Sequence, residues 1–553
     1  MSRRLQISFG IAIFAAVFFI PFLGAVHLFD WDEINFAESA REMIVTQNYT
    51  RVQVDFHPFW EKPPLFFWLQ VISMKIFGVN EFGARFPNAL CGIITLVTLF
   101  NIGAKVFSER FGLFWALAYM GSMTPHFYFK TGIIDPYFNL FIFTSLLFLI
   151  SASEVQKKKL LHFVWAGVFA GLAVLTKGPV GLAMIVLVAL VYSVISYYRR
   201  ETIPFSFFET VIFGVTALLV SSIWYGLELL HNGTQFFNEF IAYQLRLFFQ
   251  SEAGHEQPFY YHFVVLLFGV FPSSFLAIAS HKMAGNNSEN EARFFKWMHI
   301  FLWVPFVAVS LATTKIVHYS SLCYFSITFL AAYYLYKIDQ GVAMWKPNAT
   351  LALAFFGGLV ALLLTLFPVV LYDTEKIIPL FKDKLTKAAL TTPVLWSGWE
   401  WAVGALYGGA ILLTVLLIRN EKIVNGLLVL FGATMITIHL FTLVLAPKIE
   451  EFTQAGPIRF YQSKANEDVY VLSAFKSYAP YFYTQKKLPK NVNAYSEEWL
   501  LKGSIDKPLF VVAKVTQNDF LAEHPDLKVL HREGGFIYLL REPILTPNDS
   551  IQP

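Results

Sequence analysis

Charge is scarce in this sequence: Asp, Glu, Lys and Arg make up 14% of its 553 residues, against 56% hydrophobic ones, and the mean hydropathy is +0.54. A soluble globular domain carries about a quarter charged residues, so the shortage excludes that class and points to a polytopic membrane protein. Cysteine is nearly absent. Cys91 and Cys323 both lie inside apolar runs and read as small buried hydrophobes, which excludes a disulfide framework or a cysteine metal site. The net charge of +4 is too small to call for a nucleic-acid partner. The N-terminal MSRRLQ has the basic flank of a signal peptide, but no small-residue cleavage site follows and the apolar run is long, so a retained first span is expected. No internal repeat, low-complexity tract or Gly-rich phosphate loop is present.

Apolar runs and aromatics are abundant. The aromatic share is 18%, with 59 Phe, which suits lipid-facing helices and interfacial belts. A span needs about 20 predominantly apolar residues. On that rule about thirteen are expected, near 7–29, 84–106, 112–129, 133–151, 161–177, 178–197, 206–229, 259–280, 296–313, 318–336, 349–371, 398–418 and 423–446. With a cytoplasmic N-terminus, the inside loops hold Arg3 and Arg4, Arg110, Lys157 to Lys159, Arg199 and Arg200, Lys282 to Lys296, Lys337 and Lys346, and Arg419 with Lys422. Every one of these short loops is basic, as the positive-inside rule demands. The odd span count then puts the C-terminal tail outside. That tail alternates β-type runs (DVYVLSA, PLFVVAK, FIYLLRE) with helix-like stretches such as SEEWLLKG. The expected organisation is a membrane unit over 1–446 and a small soluble α/β unit over 447–553.

Ionisable groups at a membrane boundary call for a functional reading. The first outer loop opens DWDEINFAESAREM, where Ile34, Ala37, Ala40 and Ile44 recur at helical spacing, so an amphipathic helix lying at the interface is expected. Asp32 at its start serves either as an N-cap or as a chemical group. Glu61-Lys62-Pro63-Pro64 reads either as a rigid charged shelf or as a helix start with Pro in the first turn. Asp135 in TGIIDPYFNL, Lys177 in LTKGP, Arg246, His255 and His262 around QLRLFFQSEAGHEQPFYYH, and Lys315 and His318 in LATTKIVHYSS all fall on the same outer side. Each alone is a cap or a snorkelling residue. Together they suit transfer from a lipid phosphate: cations stabilise a departing phosphate, and one carboxylate takes the acceptor's proton. A glycosidase would need a second, paired acid.

The ordered set DWDEINFAESAREM, FWEKPPLFFW, GIIDPYFNLF, LTKGPVG, PFYYHFVVLLFGVFP and TTKIVHYSSLCYFSITFLAAYYL resembles the bacterial branch of the GT-C glycosyltransferases, which includes the lipid A aminoarabinose transferases and relatives of the protein O-mannosyltransferases. The resemblance implies a polytopic helical fold of GT-C type with interfacial helices in the first outer loop and a small periplasmic α/β unit. It implies Asp32 and the adjacent Glu33 as the catalytic acids, with Asp135 as a further acid. Lys62 would contact the carrier phosphate, with Lys177, Arg246 and Lys315 completing the cradle. Glu61 and His255 would be the ligands of a divalent, zinc-like metal in members that have one. The implied partners are a polyprenyl-phosphate-linked sugar, a glycolipid or protein acceptor and the bilayer of a bacterial inner membrane. The chain departs from the family in having Asn35-Phe36-Ala37 where Arg-Tyr-Ala is common, and in lacking prolines before the tenth span. A protein O-mannosyltransferase-type enzyme and a lipid-linked sugar transporter are the rival readings. A transporter would carry its ionisable groups near mid-membrane, whereas here they cluster at one boundary.

Overall fold

A computed structural model describes residues 2–152, 159–201, 205–249, 257–280 and 288–543. His255, together with the loop lysines Lys157, Lys158 and Lys282, lies outside the described residues. The chain begins with α1 (Arg3–Phe19), α2 (Asp32–Thr46), α3 (Leu65–Phe77), α4 (Glu81–Val106), α5 (Glu109–Met120), α6 (Met123–Tyr128), α7 (Asp135–Ala152), α8 (Lys159–Lys177), α9 (Val180–Tyr198) and α10 (Phe207–Phe249). Further apolar helices run over Glu289–Leu311, Tyr324–Asp339, Pro347–Leu371, Ala402–Arg419 and Ile423–Leu440.

Among the described residues, nine helices are long and apolar enough to cross a membrane, or ten with the pair Tyr261–Gly269 and Ser273–Ser280, which is bent by 108°. The expectation of about thirteen differs because several apolar runs are broken. Pro21 and Gly24 follow α1, which stops at 17 residues. Gly121 and Ser122 divide 112–129 into α5 and α6, and a 3-10 turn over Val317–Cys323 shortens the helix that follows to 16 residues. Lys130 donates to the carbonyls of Phe18 and Pro21 at 3.0 and 2.9 Å, satisfying the open end of α1.

The helix α2 that follows α1 has no wet face, unlike the amphipathic helix its spacing suggests. From Glu33 to Met43 every residue of α2 is buried. α2 packs on α3 and on the short helix Ala479–Tyr483 from the C-terminal segment. Its polar side chains are therefore paired internally: Glu38 with Arg41 at 2.6 and 2.7 Å, Glu33 with Arg85 of α4 at 2.7 Å, and Glu42 with the Phe56 N–H at 2.8 Å. Phe56 lies in the tight turn between β1 (Gln53–Val54) and β2 (His57–Pro58), where both Asp55 and Phe56 have positive φ. Lys486, reaching over from the C-terminal segment, makes an ion pair with Asp55 at that turn.

The helical run that begins at Ile423 continues unbroken to Glu451. Beyond it four strands form one sheet in the order β3-β4-β6-β5: β3 (Tyr470–Ser473) parallel to β4 (Leu509–Lys514), and β6 (Phe536–Arg541) antiparallel to β4 and to β5 (Lys528–Glu533). The strand period of two divides its sides. Leu509, Val511, Ile537 and Leu539 join a small separate core with Leu500 and Leu501, while Val512, Phe536 and Tyr538 pack onto the main helical core. The edge strand β5 is exposed throughout and carries Lys528, His531, Arg532 and Glu533, charges that discourage edge pairing.

Candidate active site

Asp32 is the first residue of α2, and the residue at the cap position is Trp31, whose side chain makes no capping bond. The capping reading of Asp32 therefore falls, and its carboxylate, 32% exposed, turns into a hollow. Counting its open mouth, the hollow has an empty volume of about 800 Å³. Four separate parts of the chain wall it: Trp31 and Asp32, the Glu61-Lys62 shelf, the helix ends carrying Asp135 and Lys177, and the segment from Thr314 to Tyr319; Lys476 and Tyr478 reach it from the C-terminal segment.

Asp135 is the first residue of α7 and Lys177 the last of α8. α7 and α8 pack against each other with the start of one beside the end of the other, which brings Lys177 Nζ to 2.6 Å from Asp135 Oδ1. His318 Nε2 lies 3.5 Å from Asp32 Oδ2 and 3.8 Å from Asp135 Oδ2, so the imidazole stands between the two carboxylates. Lys62 Nζ sits 5.0 Å from the centre of the Tyr243 ring. Burial draws its ammonium below the ordinary lysine value, against the pull of Glu61 and Asp32. Burial also raises the phenols of Tyr243 and Tyr319, so both remain neutral hydrogen-bond donors at neutral pH.

The other expected site residues fall elsewhere. Glu33 faces away from the hollow. Its two oxygens take Arg85 Nε and Nη2 at 2.7 and 2.8 Å, the Phe29 N–H at 2.8 Å and the Gly132 N–H, while Arg85 Nη1 also ties down the carbonyls of Leu23 and Val26. It is a buried brace and not a reacting acid. Lys315 is buried and donates to the Ala312 carbonyl at 2.7 Å. Its neighbours Thr314 and Ile316 line the hollow, so the alternation of an extended segment turns Lys315 to the other side. Arg246 lines an adjoining hollow with Trp60, Glu61 and Tyr243, its guanidinium 5.8 Å from the Tyr243 ring. The two hollows share Phe59, Glu61 and Tyr243. Among the described residues no group of three His, Cys, Asp or Glu is close enough to hold a metal ion. Glu61 offers one ligand, and its expected companion His255 lies outside the described residues. The described donor set does not make a metal centre.

His318 was visible only as one base among several on the outer side; its position between two acids comes from the 3-10 turn over Val317–Cys323. Lys476 and Tyr478 had no sequence signal, because nothing local marks a segment that folds back onto Trp31 from the far end of the chain.

Residues 61–225 match the family model described as dolichyl-phosphate-mannose-protein mannosyltransferase, a stretch that contains Glu61, Lys62, Asp135 and Lys177. The undecaprenyl phosphate-alpha-4-amino-4-deoxy-L-arabinose arabinosyl transferase of Photorhabdus laumondii is 25% identical over 408 residues, covering 72% of this chain and 69% of that protein. A protein of the same description from Proteus mirabilis is 26% identical over 373 residues, covering 65% of each. The alignments thus take in about two thirds of these relatives' length. ArnT from Cupriavidus metallidurans, in a crystal structure bound to undecaprenyl phosphate, superposes with a TM-score of 0.74 at 17% identity, over 96% of this chain and 97% of that one. The architecture is that of this structure, and the chain, a multi-pass membrane protein, is similar in sequence to the GT-C glycosyltransferases of the protein O-mannosyltransferase and lipid A aminoarabinose transferase superfamily.

Proposed function

We propose that this protein transfers a sugar from a polyprenyl-phosphate donor to a hydroxyl of a lipid A-like glycolipid at the periplasmic face of the bacterial inner membrane, with inversion at the anomeric carbon. The observation that carries the reading is the partly exposed Asp32 carboxylate sharing one hollow with Lys62 and with the His318–Asp135–Lys177 chain. The acceptor oxygen attacks the anomeric carbon, its proton passes to Asp32, and the bond from sugar to phosphate oxygen breaks with both electrons on the phosphate. The leaving group is already anionic, so it needs a cation and not an acid. Lys62 supplies that cation, with the neutral phenols of Tyr243 and Tyr319 as donors beside it. Lys177 neutralises Asp135, and His318 orients Asp32.

The placement argues against a transporter. Asp135 begins its helix and Lys177 ends its own, so both stand at a membrane boundary rather than at mid-span. The positive-inside pattern of the sequence supports a cytoplasmic N-terminus, with the sheet of the C-terminal soluble unit on the side of the hollow. The test is mass spectrometry of lipid A, other envelope lipids and glycoproteins from cells with the gene, without it, or with Asp32→Asn. A sugar missing from lipid A in the last two supports the proposal. A sugar missing from a glycoprotein instead would move the acceptor to a Ser/Thr hydroxyl, and unchanged envelopes would end the reading.

A further inference from the structure

Three lysines line the hollow: Lys62, Lys177 and Lys476. The charge of Lys177 is met by Asp135 at 2.6 Å. Among the described residues, no carboxylate comes within ion-pair distance of Lys62 or Lys476. A transfer from a phosphate-linked donor needs one such cation for the leaving phosphate. The hollow has two, and they belong to different parts of the chain.

The second cation is held by a built contact. Lys476 Nζ stands 4.2 Å from the centre of the Trp31 ring, and the Tyr478 ring packs against the same indole at 5.9 Å. Trp31 has φ 109° and ψ −96°, a conformation strained for a non-glycine residue that persists only when its surroundings impose it. Those surroundings are the C-terminal segment. Glu450 accepts the His27 N–H at 3.1 Å, Gln454 donates to the Leu28 carbonyl at 3.0 Å and accepts the Asp30 N–H at 3.3 Å, and the Tyr483 hydroxyl accepts the Leu28 N–H at 2.8 Å. The strip that delivers Asp32 is thus clamped by the same segment that brings in Lys476.

We propose that Lys476, seated on Trp31, binds an anionic group of the acceptor, at a position distinct from the donor phosphate at Lys62. The C-terminal segment then sets acceptor specificity and places the acceptor beside Asp32. The inference rests on the glycosyl-transfer reading above.

Equilibrium binding to the full chain in nanodiscs tests it, with undecaprenyl phosphate, bisphosphorylated lipid A and dephosphorylated lipid A as probes. A charge-assisted contact is worth about 1.5–3 kcal/mol, so Lys476→Ala is expected to weaken bisphosphorylated lipid A at least about tenfold. Undecaprenyl phosphate affinity stays within about twofold, which also shows that the variant is folded. Lys476→Arg restores binding, Lys62→Ala gives the reverse selectivity, and dephosphorylated lipid A binds wild type and Lys476→Ala alike. Equal loss for undecaprenyl phosphate would assign Lys476 to the donor site and overturn the inference. Unchanged binding of every probe would leave Lys476 a mere staple on Trp31 and overturn it too. Wild type that binds undecaprenyl phosphate but not bisphosphorylated lipid A sinks this inference alone, whereas wild type that binds neither sinks the glycosyl-transfer reading with it.

Discussion

Asp32 and Glu33 are neighbours on one helix and have opposite surroundings. The Asp32 side chain is 32% exposed in a hollow, with His318 at 3.5 Å. The Glu33 side chain is 2% exposed, and its oxygens are saturated by Arg85 and by backbone N–H groups. The same contrast runs along α2, where Glu38, Arg41 and Glu42 are buried behind Asp32. Charge at a membrane boundary therefore has two uses here. On one face it is left available to a ligand, and on the other it ties a polar loop to the spans beneath.

The contrast is broken most severely at Asp32. Asp32→Asn is expected to lower transfer by about 10²–10⁴-fold while the thermal unfolding midpoint in detergent stays with wild type. Retained turnover would remove Asp32 from the chemistry. Glu33→Ala should do the opposite kind of damage. It leaves Arg85 buried without its partner, so a loss of about 3–5 kcal/mol in stability is expected, with activity per folded molecule preserved. Thermal unfolding of the two variants side by side separates the roles, and a Glu33→Ala that is stable but inactive would merge them.

Lys62→Ala should raise the KM for the polyprenyl-phosphate donor about tenfold or more and leave the acceptor KM near wild type. Because burial holds the Lys62 ammonium below its ordinary value of 10.5, the cation is complete at low pH and is lost on the alkaline side earlier than for a free lysine. Donor binding should fall as pH rises through that lowered value, and Lys62→Arg should move the alkaline limb upward. A limb that does not move would exclude Lys62 as its source.

An effect that vanishes near pH 4.5 is expected at Glu42. Burial and the neighbouring Glu38 push its carboxyl from 4.5 up to about 9. The folded state therefore favours the protonated form, so the stability present below pH 4.5 drains as pH rises toward 9. Glu42→Gln keeps an acceptor for the Phe56 N–H and removes that drain. Its stability over wild type should be negligible near pH 4.5 and grow by at most about 1.4 kcal/mol per pH unit above it, read from unfolding midpoints across pH 5–9. A margin that does not grow with pH would show that Glu42 is ionised in the folded state.

Much of the site was legible because its signals are local. Asp32, Glu61, Lys62, Asp135 and Lys177 each stand at the end of an apolar run or beside a proline, and all five line one hollow. Glu33 and Lys315 misled because adjacent residues on a helix diverge by about 100° and on an extended segment by about 180°. A one-residue difference in phase separates a hollow from a core, and no window of sequence contains the partner, Arg85 or Ala312, that decides it. The expectation of about thirteen spans exceeded the nine to ten of sufficient length among the described residues for a related reason. Composition counts apolar residues, whereas Pro21, Gly121 and the turn at Val317–Cys323 stop a helix within such a run.

By itself the sequence determined the membrane character of the chain and the clustering of acids and bases at the ends of apolar runs, since hydropathy acts over about 20 residues at a time. Only the tertiary structure decided which of those charges share a cavity. It chose Asp32 over Glu33, turned His318 inward and Lys315 away, and brought Lys476 back onto Trp31. The reason is that pairing energy depends on distances between groups hundreds of residues apart, and those distances exist only once the helices and the C-terminal segment have packed.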